Sequence, residues 1–544
     1  MLQLIHPGQA TENPMQSLLA RGTAGETISL KFELQSDVRI DELCMSVEPS
    51  HAYQGVQSSR ANPGIELFVV KKWQAAGVGV YQAAPMEVEE LLLKDDRINL
   101  TDSYRKEIRS WKEILNPRYF YQAPEIPTHE NVRTTLEPNR SKSFFARVKI
   151  PQKMVPGQDT FQIICQSNSE IQLTIPVRIE IGAFKLLQPP QNFFIWFKGR
   201  LDPQYPQHLL NESDFRLQLQ DIYDHGFNCV SLTETDTKFA QTAIEIAEEI
   251  GFARIVLTPP FPELSKLRFQ KAQPIIYLSD ELDMHLEFPG NENPQQLIQY
   301  HQINYTRAEA VPNALTLVSL LNHTFIKRFQ DDKDIAHGPD IYALYLNRNR
   351  EFFQFTDQVS NSNSSKLFYY WQCYMEKPSL NRVLAGAYLW KSGAAGISPY
   401  CYQHMPTYPN SPFNDFDEWE PDFHEGGIKR PFKDHMTTYP AKAGVIPTLQ
   451  WEALRDGITD FKYWFTLHSW IEKGLTSENN DAVQLASTAR ERSNAILARI
   501  NLTGITINSE TELEPYDTVK PHEYDEFRDQ LRSDIEALAN LLMS

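Results

Sequence analysis

The chain has little that would attach it to a nucleic acid, a membrane or a disulfide framework. Its 52 Lys and Arg residues are outnumbered by 70 Asp and Glu residues, for a formal net charge of -18. No basic stripe offsets this acidity, which disfavours a phosphate backbone as the ligand. The five cysteines are scattered without any C-x-x-C spacing, which indicates reduced thiols rather than disulfides or a zinc site. No apolar run reaches the ~18 residues that a membrane helix needs. We therefore expect neither a nucleic-acid partner nor a membrane partner.

The N-terminal segment, MLQLIHPGQATENP, lacks a basic region followed by an apolar one, so no signal peptide is visible. We expect a cytoplasmic protein, or a secreted one if a leader has been removed. The sequence leaves open whether the protein forms a homo-oligomer. The 544 residues exceed one ordinary domain, and a hydrophobic content of 41% is enough to fill more than one core.

The first part of the chain, residues 1–187, is rich in predicted strands. Five segments alternate apolar with polar residues, namely 26–35, 64–73, 143–150, 159–166 and 171–181. Short alternating strands separated by turns are typical of an antiparallel sandwich. One helical stretch is predicted at 101–114. We expect an N-terminal antiparallel β-sandwich domain that ends at a proline-rich linker, 186–192.

From residue 188 onward, apolar strands alternate with helical segments. Eight strand candidates lie at 193–198, 227–232, 253–258, 274–279, 314–320, 340–346, 366–371 and 396–401. They are apolar throughout, as expected of parallel strands that helices cover on the outside. Helices are predicted between them, one of them capped by Ser213 and another at 237–250. The series predicts a (β/α)8 TIM-like barrel over 188–475, with a doubly wound sheet as the alternative. A helical C-terminal extension follows over 476–544.

Polar side chains that follow the barrel strands mark the expected active site, because barrel enzymes carry their sites at the C-terminal strand ends. Asp280 and Glu281 follow the fourth strand and are the predicted catalytic residues. The other strand ends supply the predicted substrate-binding residues, which are Arg200, His323, Asn347, Trp371, Tyr400 and Tyr402. Aromatic rings, amides and cations suit a sugar, since rings stack on C–H faces while polar groups bind hydroxyls.

Two carboxylates suit cleavage of a glycosidic bond, in which the leaving oxygen needs a proton while positive charge develops at the anomeric carbon. A conventional retaining enzyme would place a nucleophile on another strand, often the seventh. That strand ends here in Trp371-Gln372, and the first acid after it is Glu376. The adjacent pair therefore favours substrate assistance, in which the sugar's own 2-acetamido oxygen attacks the anomeric carbon. Glu376 stays open as a conventional nucleophile.

Three segments carry a resemblance to a known family. PIIYLSDELD contains the acid pair, NRVLAGAYLWKSGAAGISPYCYQ precedes and includes the last strand, and TTYPAKAGVIPTLQWEALRDGITDFKYWFTL contains the last barrel helix. Together they resemble glycoside hydrolase family 123, which is β-N-acetylgalactosaminidase-like, and its uncharacterised relatives. The chain departs from the family pattern at Ala441, where relatives usually have glycine.

The resemblance implies a β-sandwich followed by a (β/α)8 barrel, and an exo-acting retaining β-N-acetylgalactosaminidase. Asp280 would orient the acetamido group and Glu281 would be the general acid. Trp371 and Tyr400 would lie near the pocket. Two alternatives stay open: a glycosidase for a sugar without an acetamido group that uses a distant second carboxylate, and a non-catalytic carbohydrate-binding barrel.

We expect no cofactor and no metal. The acidic run at 414–420, NDFDEWE, has carboxylates that suit calcium but lacks EF-hand spacing. The expected partner is a carbohydrate, a β-linked N-acetylhexosaminide.

Overall fold

The protein is described from a computed structural model. The structure describes residues 2–5, 17–49, 63–76, 85–98, 100, 123–205, 208–281, 283, 294–321, 326, 338–346, 365–373, 377–404, 412–413, 435–442, 444–500, 502–503, 514–515 and 522–543. The helix predicted at 101–114 lies outside these residues. No helix within the described ranges is both long and apolar enough to cross a membrane.

The N-terminal part forms two five-stranded sheets. Their strands are β1 (Leu2–Ile5), β2 (Leu18–Thr23), β3 (Thr27–Ser36), β4 (Ile40–Pro49), β5 (Gly64–Ala76), β6 (Pro85–Leu93), β7 (Val132–Leu136), β8 (Ser141–Lys149), β9 (Gly157–Ser167) and β10 (Glu170–Gly182). One sheet has the order β1-β3-β8-β5-β6 and the other β2-β10-β9-β4-β7. The pairing is antiparallel except between β10 and β2, which run parallel. The predicted sandwich is confirmed.

Alternating side chains build the sandwich core. In β3, Ile28, Phe32 and Leu34 are all buried, and they share one face because successive residues of a strand point to opposite sides. Phe32 pairs with Phe144 of β8, and their rings stack with centroids 5.6 Å apart. Such aromatic pairs add stability beyond the area that they bury.

The second part forms a closed parallel barrel. Its strands are β11 (Asn192–Ile195), β12 (Cys229–Leu232), β13 (Arg254–Leu257), β14 (Gln273–Ser279), β15 (Leu315–Leu320), β16 (Ile341–Tyr345), β17 (Lys366–Tyr370) and β18 (Gly396–Ile397). Each overlaps one of the eight predicted runs, and β18 pairs with β11 to close the ring. The predicted TIM-like barrel is confirmed.

Helices cover the barrel and extend beyond it. They are α1 (Glu212–Asp224), α2 (Thr237–Ile250), α3 (Pro294–Ala308), α4 (Pro378–Val383), a π-helical segment (Leu384–Tyr388), α5 (Leu389–Ser392), α6 (Leu449–Leu475), α7 (Asn480–Arg499) and α8 (Glu523–Met543). The structure corrects one predicted cap. Asn211, not Ser213, caps α1, because its side chain accepts the backbone N–H of Asp214.

Helix α6 is the element on which the other parts pack. Its first half is buried on all sides, between the barrel, the sandwich and helices α7 and α8. It crosses α4 and the π-helical segment that follows it, and the close contacts are at two glycines. A Cβ at Gly457 would lie 2.3 Å from the carbonyl oxygen of Arg382, and one at Gly386 would lie 2.6 Å from the carbonyl oxygen of Gly457. Only glycine allows this approach between the two backbones.

Buried ion pairs join α6 to the sandwich and to the C-terminal helix. Glu452 pairs with Arg147 of β8. Burial alone would raise the pKa of Glu452, but Arg147, Arg455 and His225 hold it well below its ordinary value. Arg528 of α8 donates to Asp460 of α6 at 2.6 Å. Removing one partner from such a pair leaves a buried charge uncompensated.

A buried carboxyl at the same junction should make stability depend on pH. Glu26, just before β3, accepts hydrogen bonds from the backbone N–H of Thr23 and the hydroxyl of Tyr463. Burial raises the pKa of Glu26 to about 7, although Arg528, 4.0 Å away, opposes the rise. The folded protein therefore keeps this proton at pH values where the unfolded chain has lost it. The resulting contribution to stability is fully present below pH ~4.5 and is lost as the pH rises through ~7.

We expect Glu26→Gln, which is neutral at every pH, to gain stability relative to the parent as the pH rises from 5 to 8. The gain should be about 2.5 kcal/mol, from 1.36 kcal/mol per pKa unit over the part of the shift that lies between pH 5 and 8. Denaturant unfolding of both proteins at the two pH values measures it, with the exposed Glu170→Gln as control. A difference that stays constant between pH 5 and 8 would show that Glu26 is ionised in the folded protein.

Candidate active site

The C-terminal mouth of the barrel is lined by side chains of one parity on each strand. Within the barrel, a buried cluster includes Phe194 and Trp196 from the end of β11, Tyr277 from β14, Leu317 from β15 and Tyr370 from β17. Residues of the other parity point outward to the helices. Because the inward side chains nearest the strand ends face the mouth, Trp196, Tyr277 and Tyr370 form its floor.

Asp280 lies at the end of β14 with one carboxylate oxygen fixed. Its Oδ1 accepts the Tyr277 hydroxyl at 2.5 Å and the Ser319 hydroxyl at 2.9 Å. Within the described ranges no donor reaches Oδ2, and the residue is exposed to solvent. Asp280 therefore offers one free acceptor in a fixed orientation.

Glu281 follows in a left-handed backbone conformation, with φ of 40°. Its backbone N–H donates to Ser319 Oγ at 2.8 Å, and its Oε1 accepts the Tyr370 hydroxyl at 2.5 Å. Consecutive strand residues ordinarily point to opposite faces, and this turn brings both carboxylates to the mouth. A non-glycine residue in this conformation costs about 1–3 kcal/mol, a strain that is common at functional sites.

Both tyrosines that hold the acid pair are permanent hydrogen-bond donors. Burial raises the pKa of Tyr277 well above its ordinary value, and the Asp280 carboxylate raises it further. Burial and the Glu281 carboxylate do the same for Tyr370. Neither phenol can ionise in the physiological range, so each keeps its proton for the neighbouring carboxylate.

Two other carboxyl groups near the strand ends are occupied by backbone amides. Asp283 is buried and accepts the N–H of Leu321 at 2.9 Å. Glu234, after β12, accepts the N–H groups of Leu201 and Asp202. These two acids hold loops in place, which leaves Asp280 and Glu281 as the acids that the described mouth presents to a ligand.

Tyr400 and Arg200, two of the predicted substrate-binding residues, lie at the rim. The Tyr400 hydroxyl is 2.6 Å from His404 Nδ1, and the Tyr400 ring centroid is 6.4 Å from that of Trp196. The Arg200 guanidinium lies 4.0 Å from the centroid of the Tyr205 ring.

The structure corrects the predictions for Trp371 and Tyr402. Both side chains are fully buried in the layer between barrel and helices. Trp371 Nε1 donates to Asn381 Oδ1 at 3.0 Å, and the Tyr402 hydroxyl donates to Asp221 at 2.9 Å. Each is of the outward parity, so neither ring can contact a ligand in the mouth. Tyr370 occupies the position that the sequence suggested for Trp371.

Three predicted residues, His323, Asn347 and the alternative nucleophile Glu376, lie outside the described residues, as does the acidic run at 414–420. Among the residues that are described, no group of three or more His, Cys, Asp or Glu side chains could hold a metal ion.

Sequence reasoning missed Trp196, Tyr277, Ser319 and Tyr370. Tyr277 and Tyr370 looked like ordinary members of apolar strands, and Ser319 has no motif around it. Side chains of a strand alternate between its two faces, so this period would have placed Trp196 and Tyr370 inside the barrel if the strand ends had been known.

Comparison with solved structures shows a similar fold in a glycoside hydrolase. A family 123 glycoside hydrolase from Clostridium perfringens, studied for glycolipid glycan hydrolysis, aligns at a TM-score of 0.60 with 10% identity, over 97% of this chain and 94% of that one. A family 39 glycoside hydrolase from Bacteroides cellulosilyticus aligns at 0.33 with 10% identity, over 62% and 76%. A family 5 xyloglucanase from Bacteroides ovatus aligns at 0.31 with 8% identity, over 84% and 100%. No protein-family model and no curated protein matches the sequence.

The burial of Trp371 leads to a stability prediction. We expect Trp371→Phe to lower the free energy of unfolding by about 2 kcal/mol, because it removes buried contacts and the hydrogen bond to Asn381. Denaturant unfolding measures the loss, and Trp470→Phe, at a less buried position on α6, should change stability far less. Equal effects of the two substitutions would contradict a core role for Trp371.

Proposed function

We propose that the protein is a glycoside hydrolase, an exo-acting retaining β-N-acetylgalactosaminidase that uses the 2-acetamido group of its substrate. The observation that carries the proposal is the arrangement of Asp280 and Glu281. Both face the mouth, each is held by a tyrosine hydroxyl, and the free Asp280 Oδ2 provides an acceptor for an amide N–H.

In the proposed first step the acetamido carbonyl oxygen forms a bond to the anomeric carbon as the glycosidic C–O bond breaks. Glu281 gives its proton to the leaving oxygen, and Asp280 accepts the amide N–H and stabilises the positive charge of the cyclised group. In the second step a water attacks the anomeric carbon from the opposite side of the new ring. The Glu281 carboxylate takes the water's proton, the ring C–O bond opens, and the anomeric configuration is retained.

The hydrogen bonding of the other described acids near the strand ends supports substrate assistance over a conventional carboxylate nucleophile. A retaining enzyme of the usual kind needs a second carboxylate ~5 Å from the acid. Asp283 and Glu234, the other described acids near the strand ends, are buried and accept backbone amides, so neither presents its carboxylate to a ligand. Similarity of fold to a family 123 glycoside hydrolase over nearly the whole of both chains supports the choice of reaction class.

Leaving-group dependence tests the role of Glu281. We expect Glu281→Gln to lose ~10²–10⁴-fold in kcat/KM on substrates with a basic leaving oxygen, since that is the range of general acid catalysis. Activated aryl glycosides, whose leaving oxygen needs little protonation, should lose much less. Glu234→Gln is the matched control, with no change in this selectivity expected. An equal loss on both substrate types would rule out the general-acid role.

Azide distinguishes the role of Asp280 from that of a nucleophile. We expect Asp280→Asn to lose ~10²–10³-fold in kcat with little change in KM, because its electrostatic contribution develops in the transition state. Added azide should not restore activity. The parallel variant Glu376→Ala should stay active. Loss of activity in Glu376→Ala with azide rescue would instead identify a conventional nucleophile and overturn substrate assistance.

A further inference from the structure

Two cationic side chains, Lys198 and Arg200, stand near the end of β11, and neither forms an ion pair with a described residue. Lys198 follows Trp196 by two residues, beyond the end of β11. Its Nζ is 6.0 Å from the centroid of the Trp196 ring and 5.6 Å from that of Tyr400. Within the described ranges it makes no hydrogen bond and no ion pair.

Burial lowers the pKa of Lys198, and the Cys401 thiol and Asp280 only partly oppose this. The Asp280 carboxylate is held by the hydroxyls of Tyr277 and Ser319 and forms no ion pair with Lys198. The ammonium group is therefore partly desolvated without a direct hydrogen-bond acceptor among the described residues, which is costly for a charge.

Arg200, two residues further along the chain, is likewise a cation with a donor that has no described acceptor. Its Nη1 is buried without a hydrogen bond to any described residue, and its stacking on Tyr205 does not supply an acceptor for that nitrogen. Burial lowers the pKa of Arg200, with Glu234 as the main opposing group. Glu234 acts only from a distance, because its two oxygens accept backbone N–H groups and it forms no ion pair with Arg200.

Two neighbouring histidines, His208 and His404, add no positive charge to this side of the mouth. Burial, with Lys198 and Arg200, lowers the pKa of His208 to about 3. Burial lowers the pKa of His404 well below its ordinary value, and Lys198, His435 and His208 add to this. These two imidazoles are neutral at physiological pH, so among the described residues on this side of the mouth the positive charge resides on Lys198 and Arg200.

We propose that the substrate carries a negatively charged group, a sulfate ester on the sugar or a carboxylate on the adjoining residue, and that Lys198 and Arg200 bind it. This rests on the proposed function and adds the substrate class, an acidic glycan. An anionic oxygen would supply the direct ion-pair partner that the described residues do not. Hydrogen bonds between ionised partners are the strong ones in proteins.

Calorimetric binding to the full chain tests this without requiring turnover. The ligands are N-acetylgalactosamine, its 4-sulfate, its 6-sulfate and glucuronic acid, which separate a sulfate source from a carboxylate source. We expect at least one anionic sugar to bind about 10-fold or more tightly than N-acetylgalactosamine, with an advantage that falls as salt is added.

Lys198→Met should abolish this selectivity and Lys198→Arg should keep most of it, since the charge is retained. Lys462→Met, which replaces a half-buried lysine beside Gly226 at the opposite end of the barrel, is the matched control and should keep it fully. Equal binding of neutral and anionic sugars, no binding of any of them, or selectivity that survives Lys198→Met overturns the inference.

Hydrolysis of neutral and sulfated aryl N-acetylgalactosaminides separates the two proposals. Cleavage of the neutral compound without anionic selectivity in binding rejects only the acidic substrate. Selective binding of the anionic sugar without cleavage of either compound rejects the glycosidase and leaves an acidic-glycan binding site.

Discussion

The mouth of the barrel depends on how the chain leaves β14. The pairing of β14 with β15 shifts by one residue between Tyr277 and Ser279, and Glu281 then takes a left-handed conformation. Ser319 of β15 stabilises this exit, because its hydroxyl accepts the N–H of Glu281 and donates to Asp280. Without that departure from strand geometry, the two adjacent acids would point to opposite faces and could not share one ligand.

Hydrogen bonds from α6 and from the sandwich stabilise the segment that follows β18 at the mouth. After β18, the amide of Thr437 donates to the carbonyl of Tyr402, and the Thr448 hydroxyl, which caps α6, donates to the carbonyl of Thr437. The sandwich holds the same segment, since the N–H of Leu92 donates to the carbonyl of Pro447 at 2.9 Å. The sandwich thus contributes rigidity to the rim without placing the acids, which fits the preference of functional sites for rigid support.

Sequence patterns predicted elements well and side-chain directions poorly. Helix α2 begins and ends where its pattern indicated, and the acid pair lies where strand counting placed it. The direction of Trp371 could not be predicted, because the strand period is two and an error of one residue exchanges inside and outside. Ser319 was beyond prediction for another reason: its role comes from a contact with a residue 38 positions away, and a single sequence carries no sign of that contact.

The charges of the mouth are polarised, and this constrains how a ligand could lie in it. Glu281 and Asp280 stand at the end of β14, whereas Lys198 stands near the end of β11, three strands round the ring of eight. The Trp196 and Tyr277 rings bridge the two sides with centroids 4.9 Å apart. In the proposed reaction positive charge develops at the acetamido group, which must therefore face β14. A negative substituent would be repelled there and attracted to β11. A sugar with both groups could satisfy both sides only in one orientation over the aromatic floor, so the field proposed to bind the substrate would also align it for the proposed attack.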